Sequence, residues 1–249
     1  MAGKAVTKQP KKKKAAKKQQ EENEDRWMPF PDYIPDDCIL GLEWLHDTDF
    51  LKVEKSIKAK DWHFGGDESF YVMNRAGQLI YSVKEKTTCM KKLCTGPARE
   101  VHLIFSDNTG FTVMEIWKEA NCDGILCLCC INEMEMETRD GTFLTRLRQA
   151  FNPVHDQYDL YDENGVRDLS IISKKFYLHR CNTENKLKIV SNAGDDIGYI
   201  SKYWGPRYEL KNADHEVLWM SFPRSLEVRV KAAIIGAAFC MHYIYMEVS

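Results

Sequence analysis

The chain has 249 residues, 44% of them hydrophobic and 29% charged, which is enough apolar material for a sizeable core. Its net charge of −2 hides a split: residues 1–20 hold eight lysines and no acid, leaving 27 basic against 37 acidic residues, a net of −10, on the remainder. So acidic a body argues against nucleic-acid binding by the folded part, because phosphate neutralisation needs clustered Lys and Arg. A charged N-terminus with no apolar segment predicts no secretory leader, and nine unevenly spaced cysteines read as reduced thiols rather than a disulfide framework.

Residues 1–26 are rich in Lys, Gln and Glu and nearly free of aliphatic side chains, so a disordered tail is expected. Lys11, Lys12, Lys13, Lys14, Lys17 and Lys18 are its candidate membrane contacts, since each lysine near an anionic leaflet gains about 1 kcal/mol before salt screening. Nuclear import through Lys11–Lys14 and a merely solvated tail are the other open readings. Residues 27–40, with Trp27-Met-Pro-Phe-Pro31 and Tyr33-Ile-Pro35, read as a proline-stiffened linker. The folded body is expected over 41–249, opening on Gly41-Leu-Glu-Trp-Leu45.

From there one pattern recurs: an apolar strand, a turn of Asn, Asp or Gly, and a second strand. Phe70–Met73 turns at Asn74–Gly77 into Leu79–Val83, and His102–Phe105 turns at Asp107–Gly110 into Thr112–Ile116. Glu133–Glu137, strictly alternating, turns at Arg139–Gly141 into Phe143, while Tyr158–Tyr161 turns at Asp162–Gly165. Leu187–Val190 turns at Asn192–Gly194 into Ile197–Ile200, and Tyr208–Leu210 turns near Asn212–Asp214 into Val217–Met220. Turn residues that tolerate positive φ between period-2 strands are the strongest short-range hairpin signal. Six such hairpins imply about twelve antiparallel strands, which tend to close because closure removes exposed edges.

Ala232–Met241, His242 and Tyr243–Met246 form the long apolar run. Fifteen residues at 1.5 Å each reach roughly 22 Å, against the 30 Å or so of a bilayer core. Apolar on every side, with Ala232, Gly236 and Cys240 as a small-residue stripe, it is expected to be a buried helix. A barrel of about twelve strands has a lumen too wide for its own side chains, and this helix is predicted to fill it. The fold class is therefore mainly β, a closed antiparallel barrel enclosing a C-terminal helix.

The ordered residues resemble the phospholipid scramblases. Trp27-Met-Pro-Phe-Pro31, Gly41-Leu-Glu-Trp-Leu45, Cys89-x4-Cys94-x-Gly96-Pro97-x-Arg99 and Cys127-Leu-Cys129-Cys130 carry the likeness. Ile200-Ser-Lys-Tyr-Trp204, Phe222-Pro223, Val230-Lys-Ala and Ile235-Gly-Ala complete it. The resemblance implies a tubby-like fold, a twelve-stranded barrel around a C-terminal helix, and ATP-independent, bidirectional movement of phospholipids between leaflets, stimulated by calcium. It also implies S-palmitoylation of Cys122, Cys127, Cys129 and Cys130, against the plain reading of these as buried or exposed free thiols and a weaker one as zinc ligands. One acyl chain anchors only marginally, so the lysine tail is the expected second signal at the cytoplasmic face of the plasma membrane.

The family's calcium segment falls on Asp214 and Glu216, with Ser225 where an EF-hand has its bidentate carboxylate and Trp219 where it has its glycine. Binding no tighter than about millimolar is expected there, and a simple turn role for both acids is the rival reading. Phe64-Gly-Gly-Asp-Glu68 matches a cyclase signature without the α/β pattern those enzymes need, and is read as chance. No nucleophile, P-loop or zinc motif occurs, and His63, His102, His155, His179 and His215 show no ligand spacing. No covalent chemistry is therefore expected. The alternative function is a binding module for anionic lipid or protein partners, or a nuclear regulator, without scrambling activity.

Overall fold

In the computed structural model, residues 26–56, 69–86, 100–119, 132–150, 152, 155–173, 184–203 and 217–243 are described. The strands are Phe50–Ser56 (β1), Ser69–Asn74 (β2), Leu79–Glu85 (β3), Val101–Ser106 (β4), Thr112–Lys118 (β5) and Glu133–Thr138 (β6). Phe143–Ala150 (β7), Gln157–Tyr161 (β8), Arg167–Ser173 (β9), Glu184–Ser191 (β10), Asp196–Tyr203 (β11) and Val217–Ser221 (β12) follow. The helix Val228–Met241 (α1) comes last among the described elements. Every strand pairs antiparallel with its sequence neighbours, and β1 pairs with β12 to close the ring. The mainly β, closed twelve-strand barrel with one C-terminal helix is thus the fold read from the sequence.

Five hairpins share one local construction. In each, a Gly adopts positive φ, at Gly77, Gly110, Gly141, Gly165 and Gly194. Its N–H donates to the carbonyl three residues back, as Gly77 does to Asn74 at 3.0 Å, and the register shifts by one residue beside it. This is a four-residue turn with a glycine bulge, whose twist matches the strands it joins. The leading residue caps the turn with its side chain: Asn74 Oδ1 accepts from Ala76 and Gln78 (3.0 Å each), and Asp162 Oδ1 accepts from Asn164 (2.9 Å) and Val166 (2.7 Å).

The sixth hairpin is a correction. β12 is bonded on one edge to β11 and on the other to β1, with Phe50 opposite Ser221 and Val53 opposite Leu218. No edge is left on it for Tyr208–Leu210, which lie outside the described residues. The missing strand is Phe50–Ser56, where only Leu51 and Val53 face the core. Ahead of it, Arg26 and Met28 bond to Leu79 at the edge of β3 (2.8 Å each).

Period-2 alternation sends Phe70 and Val72, Leu103 and Phe105, Met134 and Met136, and Leu187 and Ile189 inward, all buried. Twelve strands about 4.8 Å apart and tilted about 40° enclose a radius of roughly 12 Å. A helix with its side chains has a radius of about 5–6 Å, which leaves room for one layer of wall side chains. α1 fills that space. Its residues from Val230 to Met241 are all buried, and Phe239 stands edge-on to Phe70 (5.3 Å) and Phe105 (5.4 Å). A Cβ on Gly236 would come 3.0 Å from Met136 Sδ and 3.6 Å from Ile116 Cδ1, so Gly236 faces β5 and β6. Among the described residues no helix is long and apolar enough to cross a membrane.

Candidate functional site

Alternating strand direction sorts the connections onto two rims. The five tight hairpins lie on one, together with the reversal Phe222–Glu227 that leads from β12 into α1 and the short 3-10 turn Glu43–Leu45. On the other rim end the strands that flank residues 57–68, 87–99, 120–131, 174–183 and 204–216, and there α1 also finishes.

At the turn rim α1 is held by its two cations. Lys231, fully buried, donates to the carbonyls of Leu45 (2.9 Å), His46 (2.8 Å) and Arg224 (2.7 Å). Burial pushes its ammonium down to about 8. Arg229 donates to both carboxylate oxygens of Asp168 (2.8 and 2.9 Å) and to the Leu144 carbonyl (3.1 Å), and the Asp168 bond raises its pKa. Cations in the first turn oppose the helix dipole, so these acceptors offset both that and the desolvation. Sequence reading treats both residues only as charges flanking the apolar run. The available signal is Lys231 between Val230 and Ala232, with no polar face to share.

At the connection rim the lumen turns polar. Glu85 continues the inward phase of Tyr81 and Val83, and Lys118 that of Met114 and Ile116, so both charges are buried by strand register. Tyr243 donates to Glu85 Oε2 (3.2 Å), and Lys118 Nζ to the Glu119 carbonyl (3.3 Å). Cys240 and His242 are buried beside them, the His242 ring edge-on to Phe70 at 5.5 Å. Burial pushes the Cys240 thiol up to about 12, so it is a packing group and not a nucleophile. On the outer wall near this rim, His102 stacks on half-exposed Trp117 (3.5 Å, 14°) and meets Glu115 at 2.6 Å, the satisfied strand role expected of it.

Cys122, Cys127, Cys129 and Cys130, the acids Asp214 and Glu216, and lysines Lys11, Lys12, Lys13, Lys14, Lys17 and Lys18 all lie outside the described residues, as do Cys89, Cys94 and Phe64–Glu68. The described strand ends on either side of the cysteine-bearing residues (β5 and β6) and of the acid-bearing ones (β11 and β12) lie on a single rim. Val217–Ser221 is an extended strand bonded on both sides, with Trp219 opposite Lys52 and Ser201, so its two ends lie at opposite rims. Among the described residues no group of three or more His, Cys, Asp or Glu side chains is arranged to hold a metal ion.

Known proteins give the same order of segments. A family model described as Scramblase matches residues 28–248. Human phospholipid scramblase 1 is 28% identical over 224 residues, covering 89% of this chain and 70% of the relative. Human phospholipid scramblase 2 is 28% identical over 224 residues (89% and 75%), and human phospholipid scramblase family member 5 is 27% identical over 218 residues (83% and 77%). No solved structure matches the chain. With strands, lumen helix and both rims inside the matched span, the chain belongs to the scramblase family.

Proposed function

We propose that the protein moves phospholipids between the leaflets of a membrane, without ATP and in both directions. The observation that carries the reading is the family match across the entire barrel and its helix, to relatives named phospholipid scramblases. Translocation makes and breaks no covalent bond, in keeping with the inert setting of Cys240. The barrier is the desolvation of a charged head group, several kcal/mol for each unsatisfied polar group in hydrocarbon. With α1 filling the lumen, lipid passes beside the barrel and not through it.

Attachment is assigned to palmitate on Cys122, Cys127, Cys129 and Cys130 at the connection rim, and to the lysine tail, residues 1–26, at the turn rim where Arg26 meets Leu79. The wall between the rims is about 18 Å high, for seven-residue strands such as β3 tilted about 40°. Attachment through both ends lays the barrel axis along the cytoplasmic face of the plasma membrane. Calcium is assigned a weak stimulatory role at Asp214 and Glu216, without Ser225.

The test is reconstitution of acylated protein into vesicles bearing a fluorescent phospholipid, followed by external dithionite. Scrambling exposes the inner-leaflet share to bleaching, with and without calcium. A protected share equal to that of empty vesicles sinks the proposal. The filled lumen, which provides no polar passage, favours a second reading in that event: a membrane-bound module for lipid or protein partners, or a nuclear regulator when not acylated.

A further inference from the structure

Residues Trp27–Phe30 line a cleft of ≈ 550 Å³ at the turn rim, with Trp44, Gln78, Asp107 and Asn108 among its other walls. Two of those walls form a corner. The rings of Phe30 and Trp44 stand 5.2 Å apart at 88°. Trp44 is nearly buried and its Nε1 donates to the Met28 carbonyl (3.2 Å), so its ring is fixed, while Phe30 is 58% exposed and open to solvent. Asp107 lines the same cleft. Its Oδ1 is used by the hairpin, accepting from Thr109 N (2.8 Å), Thr109 Oγ1 (2.7 Å) and Phe111 N (2.9 Å), while Oδ2 has no hydrogen-bond partner among the described residues. Among the described residues no Lys or Arg lines the cleft.

Aromatic faces at right angles beside an unbalanced carboxylate select for positive charge. A primary ammonium is strongly hydrated and finds few acceptors on ring faces, whereas a methylated nitrogen gives up its weak hydration readily. We propose that this cleft is a binding site for a quaternary ammonium group, the chemistry of a choline head group. The site deepens the lipid reading and rests on it for the assignment of a lipid source, but the recognition itself rests on the cleft.

Choline and phosphocholine are the soluble probes, added to the full-length protein and followed by the ring-current shift of the N-methyl proton resonance. The expected result is a saturable upfield shift that the neutral carbon analogue 3,3-dimethylbutanol does not reproduce. Phe30→Leu keeps an apolar side chain at an exposed position and removes one aromatic face, so affinity should fall at least ~5-fold. Asp107→Asn keeps the turn acceptor and removes the charge, and should weaken binding as well. Equal binding of the neutral analogue, no shift with either probe, or undiminished affinity in folded Phe30→Leu overturns the site. Phosphatidylcholine vesicles that displace choline assign the site to a lipid head group; vesicles that fail to do so assign it to a free quaternary ammonium compound. Choline binding with no scrambling in the dithionite assay fails the lipid-transfer reading alone, and scrambling with no choline binding fails the site alone.

Discussion

At the residue scale the burial of Lys231 is the feature with the largest consequence. Its ammonium ties the carbonyls at the end of the 3-10 turn and in the Phe222–Glu227 reversal to the first turn of α1. Lys231→Met keeps the stem and strands three carbonyl acceptors, one buried and two part-buried, so unfolding free energy should fall by about 3 kcal/mol. Urea denaturation would show this as a lower midpoint at unchanged slope. The group also carries a pH signature. Its amine titrates at about 8 in the folded protein against 10.5 for the ordinary side chain. Between those values the unfolded chain binds more protons, so the stability tied to this group is present above 10.5 and is lost as pH falls through about 8. The gap in unfolding free energy between the natural protein and Lys231→Met should therefore widen from pH 8 to 10.5. A gap that narrows would show that the carbonyl cage outweighs burial.

Among the elements, the hairpins and the strand seams respond differently to the same substitution. Gly165 has φ +75 and open space around its missing Cβ, so Gly165→Ala should cost about 1 kcal/mol of backbone strain and nothing in packing. Gly198 lies within β11, where a Cβ would sit 2.1 Å from the Ser221 carbonyl oxygen of β12. Gly198→Ala must push the two backbones apart, at a cost of about 3 kcal/mol, the upper end for overpacking. Thermal melts of the two variants should rank Gly198→Ala well below Gly165→Ala; the reverse order would mean that β11 and β12 slide freely.

For the whole molecule, wall and helix are one core. Deleting residues 232–249 removes Phe239 from between Phe70 and Phe105 and leaves the inward layer facing an empty or flooded lumen. An insoluble or protease-sensitive product is expected, and a soluble fragment with intact near-ultraviolet circular dichroism would refute the lumen role. Attachment is a property of the whole chain as well. The tail ahead of Arg26 is 25 residues, up to about 85 Å extended, so it reaches a leaflet from either rim. Replacing Cys122, Cys127, Cys129 and Cys130 by Ala together with removal of the tail should release the protein from membranes, while either change alone should weaken partition. Retention after both changes, in a fractionation of intact cells, would place the anchor elsewhere.

What the sequence determined by itself was local or collective. Asn74, Asp107, Thr138, Asp162 and Ser191, each three residues ahead of a Gly between two period-2 runs, specify turns, because side-chain caps and positive φ act within five residues. The all-round apolar run from Ala232 specifies a buried helix, because no partial burial satisfies every face. What only the tertiary structure decided depended on contacts far apart in the chain. Phe50–Ser56 is a wall strand because β12, more than 160 residues away, has an edge to offer, and its alternation of Leu51 and Val53 with Lys52 and Glu54 is too short to announce that. Glu85 and Lys118 face inward because strand register sets their phase, against their own preference for water. The partners of β12 came from the same source: Val217–Met220 reads as a strand in sequence, but only the closed ring shows that β1 and β11 flank it.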